Sequence, residues 1–543
     1  MKKIYLLMFL IFGTNITYSQ STSAVSKHFI VIGCDGMSPD GIKNSDTPNM
    51  DEMMKNGAYT FHARAVLPTS SSSNWASMLM GAGPEQHGIT SNGWEKDDFI
   101  LPPVVSGTEN IFPTIFSVIK NQNSDSEIGA VYHWGGFGRL FEKSCVDIDI
   151  NGKTEYETTE IASKIIKDKK PEYLFIHLDH VDHAGHEYGH GTKKYYKSVE
   201  IADELIGKIV NAIRQAGIFE NTTILVTADH GGIGYGHGGE TIDEIEIPFI
   251  LYGHGIKKGY RINHPVYTYD NAATAVFVLG YDQPYAWIGR AVKSAFVGYK
   301  VPKSSYVKMM LPAPTIYPKK KLYDPAGGLF IDDNPKLKIE SEIDNSEIRY
   351  TLDGTSPTEN SELYTKPINL KKSVVVSAKV FDKDKNASSS SVAYFRIVKS
   401  NSNNGISYKY FEIDNLKMLP SFVNLKPEKI GKCYEFRYGN IPKRKENFAI
   451  EFNSKIKIEK KGEYKFYTYS DDGSQLLIND RLIVDNDGDH GTKERSGSIN
   501  LDAGFHNIKV TYFNGGGGSW LDVFYKGPNI PKQIISPEVL FVN

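Results

Sequence analysis

Phe29-Ile-Val-Ile-Gly33, Tyr173-Leu-Phe-Ile176 and Ile224-Leu-Val-Thr227 are three unbroken apolar runs, and their reading decides the fold of the first half of the chain. A strand with one wet face alternates apolar and polar residues. Runs without a polar break suit strands buried on both faces, as in a parallel sheet. Between the last two lie Val199, Ala202, Ile206, Ile209 and Ile213, spaced by three and four, with Gly217 as a stop. That spacing lays one apolar stripe along a helix. Strand, helix, strand in this order predicts an α/β domain with a doubly wound, mostly parallel sheet from His28 to about Lys300. In such sheets ligands collect beyond the carboxyl ends of the strands.

The residues at those ends carry chemistry. Asp35 follows the first run in Val31-Ile-Gly-Cys-Asp-Gly36, and Asp182 and His186 follow the second in Asp182-His-Ala-Gly-His186. Asp229 and His230 close the third in Thr227-Ala-Asp-His-Gly231, with His237 just beyond in Gly236-His-Gly-Gly239. Any one of them alone reads as an ordinary surface or core residue. Together, three Asp and three His make two sets of mixed N/O donors, which suit zinc better than calcium or magnesium. A second feature is Leu67-Pro-Thr-Ser-Ser-Ser-Ser-Asn-Trp75. A serine run is ordinarily a loop or a helix cap. The apolar Trp75, Met78 and Leu79 behind it predict a helix, which places a hydroxyl at a helix N-terminus, where the dipole and free N–H groups favour an anion. Beside a metal, such a hydroxyl would lose its proton readily and attack phosphorus.

Working outward, 543 residues suggest three or four domains. With 40% hydrophobic residues the chain can build sizeable cores. Lys+Arg 62 against Asp+Glu 64 leaves a net charge of −2, which argues against a nucleic-acid groove working by phosphate neutralisation. Three scattered cysteines are too few for a disulfide framework or a cysteine zinc site. Residues 1–19 read as a cleaved signal peptide: Lys2 and Lys3, the apolar run Ile4 to Phe12, and small residues before Gln20. No cysteine sits at the cleavage point for a lipid anchor, and no later run is long enough to span a bilayer. A periplasmic or secreted protein without a transmembrane segment is expected. The expected division is a catalytic domain over 27–300, a Pro/Lys/Ser-rich connector at 301–325, a β-sandwich-like module at 326–398, a polar linker at 399–406, and a second β-domain at 407–543.

The ordered set Asp35-Gly36, Thr47-Pro-Asn49, His87-Gly-Ile89, Asp182-x-x-Gly-His186 and Asp229-His-Gly-Gly232 resembles the alkaline phosphatase superfamily, nearest its type I phosphodiesterase/nucleotide pyrophosphatase branch, over about residues 27 to 297. The resemblance implies two Zn²⁺ ions. Carried over residue by residue, Asp35, Asp229, His230 and the nucleophile oxygen hold one ion, and Asp182, His186 and His237 hold the other. His254 and His264 are fallbacks for His237, because in several branches the last His lies further downstream.

The diesterase pattern Pro-Thr-x-Thr-x-x-Asn, laid on Pro68-Thr-Ser-Ser-Ser-Ser-Asn74, makes Ser71 the nucleophile, and the sulfatase spacing counted back from Gly81 gives the same residue. Sulfatase maturation requires Pro and Arg where Ser73 and Trp75 stand, which disfavours that chemistry. Asn92 matches the family Asn that donates to a phosphoryl oxygen. His180-Val181 replaces the Glu-Pro of the family pattern, and Arg139 is either a phosphate-binding guanidinium favouring monoesters or a surface Arg.

The tail also carries resemblances. Ile348-Arg-Tyr-Thr-Leu-Asp-Gly-Thr-Ser-Pro-Thr358 is similar to the chitobiase/hexosaminidase C-terminal domain. Tyr469-Ser-Asp-Asp-Gly-Ser474 with Ala503-Gly-Phe-His506 is similar to a PA14 domain, which implies Asp471 and Asp472 as a Ca²⁺ and glycan site or a turn-forming pair. The expected function is hydrolysis of a phosphate ester through a phosphoseryl intermediate, with a glycan-linked substrate in view. An alkaline phosphomonoesterase on the same site is the alternative, and a non-catalytic glycan-binding protein is the rival class.

Overall fold

The computed structural model describes residues 24–96, 100–300, 310–319, 325–437, 439, 441 and 444–542. The expected signal peptide lies outside the described residues, as does much of the 301–325 connector. The chain divides into two compact units, residues 1–309 and 310–543.

In the first unit one sheet collects β1 (His28–Cys34), β2 (Ala58–Arg64), β3 (Ile128–Tyr132), β4 (Ile148–Asn151), β5 (Tyr173–Leu178), β6 (Thr222–Thr227), β7 (Glu246–Gly253) and β8 (Tyr260–Arg261). Their order is β4-β3-β5-β1-β6-β7-β2-β8. Every pairing is parallel except those of β7, which runs antiparallel to both β6 and β2. The mostly parallel sheet is therefore as expected. β1, β5 and β6 sit side by side with nearly every residue buried, which is why their sequences are apolar without alternation.

The helices are α1 (Pro39–Lys43), α2 (Pro48–Asn56), α3 (Ser71–Met80), α4 (Pro84–His87), α5 (Ile115–Gln122), α6 (Glu155–Lys169), α7 (His180–Tyr188), α8 (Lys193–Gln215), α9 (Ile242–Ile245) and α10 (Asp270–Leu279). Eight of them fall into two packing groups. α1, α2, α6 and α7 pack on α8, whereas α3, α5 and α10 pack on one another. α8 starts at Thr192, whose hydroxyl accepts from Tyr195 N, and buries the predicted stripe Val199, Ala202, Ile206, Ile209 and Ile213. α3 is buried on all sides and stops at Gly81, whose φ of +56° and contact with the Trp287 ring leave no room for a side chain. The Thr47-Pro-Asn49 motif has a structural job here: Asp203 accepts from the backbone N–H of Asn49 and Met50 and so closes the first turn of α2.

The second unit holds two all-β modules. The first pairs a five-stranded sheet with a three-stranded one around Leu337, Val376 and Phe395. The second pairs a seven-stranded with a four-stranded sheet around Phe452, Phe466 and Tyr512. Thr315–Tyr317, assigned to the connector by composition, is a strand paired with Lys336–Glu340 because Ile316 reaches the core. The polar stretch 399–406 is not a free tether: Gly405 N and Asn404 Nδ2 both donate to Leu540 O. Arg396, buried in the first module, pairs with Glu435 at 3.0 Å. Among the described residues no helix is long and apolar enough to cross a membrane.

Candidate active site

The sheet brings the predicted residues together at the carboxyl ends of β1, β5 and β6. Asp35 follows β1 directly, Asp229 and His230 follow β6, and Asp182 and His186 lie one turn apart on α7 behind β5. Asp35, Asp229 and His230 offer ligand atoms within 4.8 Å of one another, and so do Asp182, His186 and His237. His230 Nε2 is 3.1 Å from Asp229 Oδ2 and 3.5 Å from Asp35 Oδ1. His186 Nε2 is 3.2 Å from Asp182 Oδ2, and His237 Nε2 is 3.9 Å from Asp182 Oδ1. The rings of His230 and His237 stack at 3.7 Å between centroids, so the two groups adjoin. The fallback residues lie elsewhere: His264 Nε2 is bonded to Ser294 Oγ, and His254 is exposed.

All three histidines are held in the same way. His230 Nδ1 lies 2.7 Å from Gly231 O, His237 Nδ1 2.7 Å from Thr69 O, and His186 Nδ1 2.8 Å from Tyr235 O. A carbonyl oxygen can only accept, so each Nδ1 carries the hydrogen. Each Nε2 is then the ring atom turned towards the carboxylates, the position from which an imidazole binds a cation.

The carboxylates fit the same description. Asp35 Oδ1, Asp182 Oδ1 and Asp229 Oδ2 are buried and without a hydrogen-bond partner. Burial, then Asp182 and Asp179, push the Asp35 carboxyl well above its ordinary range; burial, then Asp35 and Asp182, do the same to Asp229. Burial raises Asp182 too, but the hydrogen bond from His186 and the nearby His230 and His237 outweigh it and hold that carboxyl low. The same bond pushes His186 up to about 9, while burial drives His230 down to about 3. Buried carboxylates with bare oxygens, set beside three imidazole Nε2 atoms, are the donor set a divalent cation satisfies.

Ser71 opens α3, and its Oγ lies 3.3 Å from His230 Nε2. Ser70 stands at the N-cap without a capping bond; its Oγ pairs instead with Ser73 Oγ at 2.8 Å. Asn92 Oδ1 accepts from Ser72 N at 2.8 Å, which leaves its amide N–H₂ as the donor. Arg139 is committed elsewhere: it donates to Asn92 O, Trp94 O and Glu95, and so braces the turn that carries Asn92. Thr69 bridges in the same region, since Gly238 N donates to its hydroxyl and the hydroxyl donates to Gly239 O.

Sequence reading missed the carbonyls of Thr69, Gly231 and Tyr235, and it missed Trp75 and His177, both bonded to Asp35. The one signal for His177 was its place in a histidine-dense stretch. In the second unit, Asp472 spends both oxygens on backbone N–H groups of His490 and Gly515, and Asp471 lies 3.4 Å from Thr492 Oγ1. All groups of three or more potential ligands among the described residues lie in the first unit.

The structure thus sets a mostly parallel sheet with two Asp/His groups and a helix-opening serine at its carboxyl edge. Residues 29–236 match the family model of type I phosphodiesterase/nucleotide pyrophosphatase. Residues 337–395 match the Fn3-associated model, and residues 402–538 match the PA14 domain. The chain is 25% identical over 239 residues to human bis(5'-adenosyl)-triphosphatase ENPP4, covering 42% of this chain and 52% of that protein. It is 25% identical over 213 residues to venom phosphodiesterase 2 of Crotalus adamanteus, covering 37% and 26%. The match thus spans about half the length of the first of these relatives and less of the second. Among solved structures, human ectonucleotide pyrophosphatase/phosphodiesterase 5 superposes with a TM-score of 0.42 at 13% identity, covering 50% of this chain and all of that one. A variant of alkaline phosphatase PafA superposes with a TM-score of 0.41 at 11% identity, covering 50% and 99%.

Proposed function

We propose that the protein is a dizinc phosphoric ester hydrolase acting on phosphodiester or pyrophosphate bonds outside the cytoplasm. The observation that carries this reading is the shared setting of His186, His230 and His237, each with Nδ1–H on a backbone carbonyl and Nε2 turned to the carboxylates. Asp35, Asp229, His230 and Ser71 Oγ would hold one ion, and Asp182, His186 and His237 the other. Bound there, the two cations supply positive charge that eases loss of the hydroxyl proton and offsets charge on the attacking and leaving oxygens.

The chain's own residues do the rest. Ser71 Oγ gives its proton to water and forms the bond to phosphorus while the bond to the leaving oxygen breaks, and the departing group takes a proton back from water. A water molecule then cleaves the phosphoserine and restores the hydroxyl. The N-terminal end of α3 at Ser71 and the Asn92 amide would receive the phosphoryl oxygens. Because Arg139 is bound to the Asn92 turn and to Glu95, it is not a clamp for the extra charge of a monoester, which favours the diester reading. The extracellular location rests on the 1–19 leader. The PA14 module, with Asp471 and Asp472 as its Ca²⁺ candidates, would bring the enzyme to a glycan.

Turnover of bis(4-nitrophenyl) phosphate and 4-nitrophenyl phosphate, before and after chelation, tests the proposal. The diester should show the higher kcat/KM, and chelation should abolish both activities until zinc is restored. Full activity in the metal-free protein overturns the metal assignment, and a strong monoester preference overturns the substrate class.

A further inference from the structure

Asp35 is held asymmetrically. Its Oδ2 lies 3.0 Å from Trp75 Nε1 and 3.2 Å from His177 Nε2, while its Oδ1 has no hydrogen-bond partner and lies 3.5 Å from His230 Nε2. Both donors are completely buried. Trp75 stands one turn behind Ser71 on α3, and Gly33 leaves the space for its ring: a Cβ there would come within 2.6 Å of the indole. His177 sits on β5 in register with Gly33, and its ring packs on Trp75 at 4.9 Å and on Phe137 at 5.2 Å.

From this we infer that Trp75 and His177 are positioning residues that reserve Asp35 Oδ1 alone for the cation. The inference rests on the proposed dizinc reading. The indole can only donate, so Oδ2 accepts from it. His177 is set to donate a second hydrogen to the same oxygen. Two donors on one oxygen prevent the carboxylate from rotating or binding through both oxygens. The indole also ties this ligand to the helix that carries the nucleophile. Support of this kind behind a ligand is generally worth about 10–100-fold in metal affinity. Asp35, His177 and Asp179 also have ligand atoms within 4.8 Å of one another. The indole hydrogen on Oδ2 argues against a third ion in that trio.

Release of zinc from the loaded full-length protein into a colorimetric chelator tests this. Wild type should show two release phases, and Asp35→Ala should remove one of them, which assigns that phase. Trp75→Phe and His177→Leu should each speed the assigned phase about 10–100-fold and leave the other unchanged. His177→Gln, which keeps a donor, should stay near wild type. If wild type holds no zinc, or Asp35→Ala leaves both phases, the proposed function fails. If the phases are assigned as expected but Trp75→Phe and His177→Leu release at wild-type rates, the positioning role fails. A third phase lost in His177→Leu overturns it in favour of a third ion. Should His177→Leu not fold, Trp75→Phe carries the test.

Discussion

The two Asp/His groups share a donor set but not an environment. Asp35, Asp229 and His230 are sealed at the ends of two adjacent central strands, each at most 1% exposed. In the other group the His186 side chain is 49% exposed, and its members come from a helix and a glycine-rich loop. The buried group touches Ser71 and cannot exchange its partners with water, so its charge must be neutralised on the spot. The other group reaches solvent through His186 alone, while Asp182 and His237 stay largely buried. The same donor types therefore stand in two settings, one fully sealed and one with a single exposed ring.

The largest effect expected is on the buried side. Ser71→Ala should lower kcat on bis(4-nitrophenyl) phosphate by about a thousandfold or more, on the scale of other nucleophile deletions. Ser71→Thr keeps a hydroxyl and should retain measurable turnover. Wild-type activity in Ser71→Ala would remove the serine from the comparison altogether.

Next is the order of metal loss. Limited chelation should strip the open group first, leaving one zinc per chain by elemental analysis, and Asp182→Ala should reproduce that count with the fold intact by circular dichroism. Equal loss from both groups would mean the difference in exposure has no functional weight.

The buried carboxylates also predict a pH dependence. Burial raises the folded pKa of Asp35 and Asp229 above the unfolded value of about 4, so without metal the folded state binds more protons than the unfolded state. Stability of the metal-free protein should then fall as pH rises above about 4, and Asp229→Asn should flatten that slope in a thermal-melt series. An unchanged slope would show that the pair is not what the fold strains against.

The smallest effects concern the neighbouring serines. The Ser72 hydroxyl is buried without a partner, so Ser72→Ala should change unfolding free energy by less than about 1 kcal/mol and leave turnover near wild type. A large loss of activity there would shift the nucleophile by one residue.

Much of this was legible because it depends on local pattern. β1, β5 and β6 announce themselves by unbroken apolar runs, and α8 by its spacing of three and four. The six ligand candidates stand out because Asp and His recur just past those runs. The helix α7, which sets Asp182 and His186 one turn apart, was not anticipated. What stayed hidden depends on register between distant segments. Nothing near Thr69 in sequence says that its carbonyl will hold His237, and nothing near Trp75 says that its indole will reach Asp35. β2 and β7 form an antiparallel pair that no short-range signal marks. Composition cast 399–406 as a linker, but Asn404 and Gly405 gain order from Leu540, more than a hundred residues away.

The central claim, two groups and two ions, is tested most directly by counting metal per folded chain with native mass spectrometry. After zinc loading and dialysis, wild type should carry two ions, Asp229→Ala one and His237→Ala one. Wild type without bound metal, or both variants still carrying two ions, would contradict it.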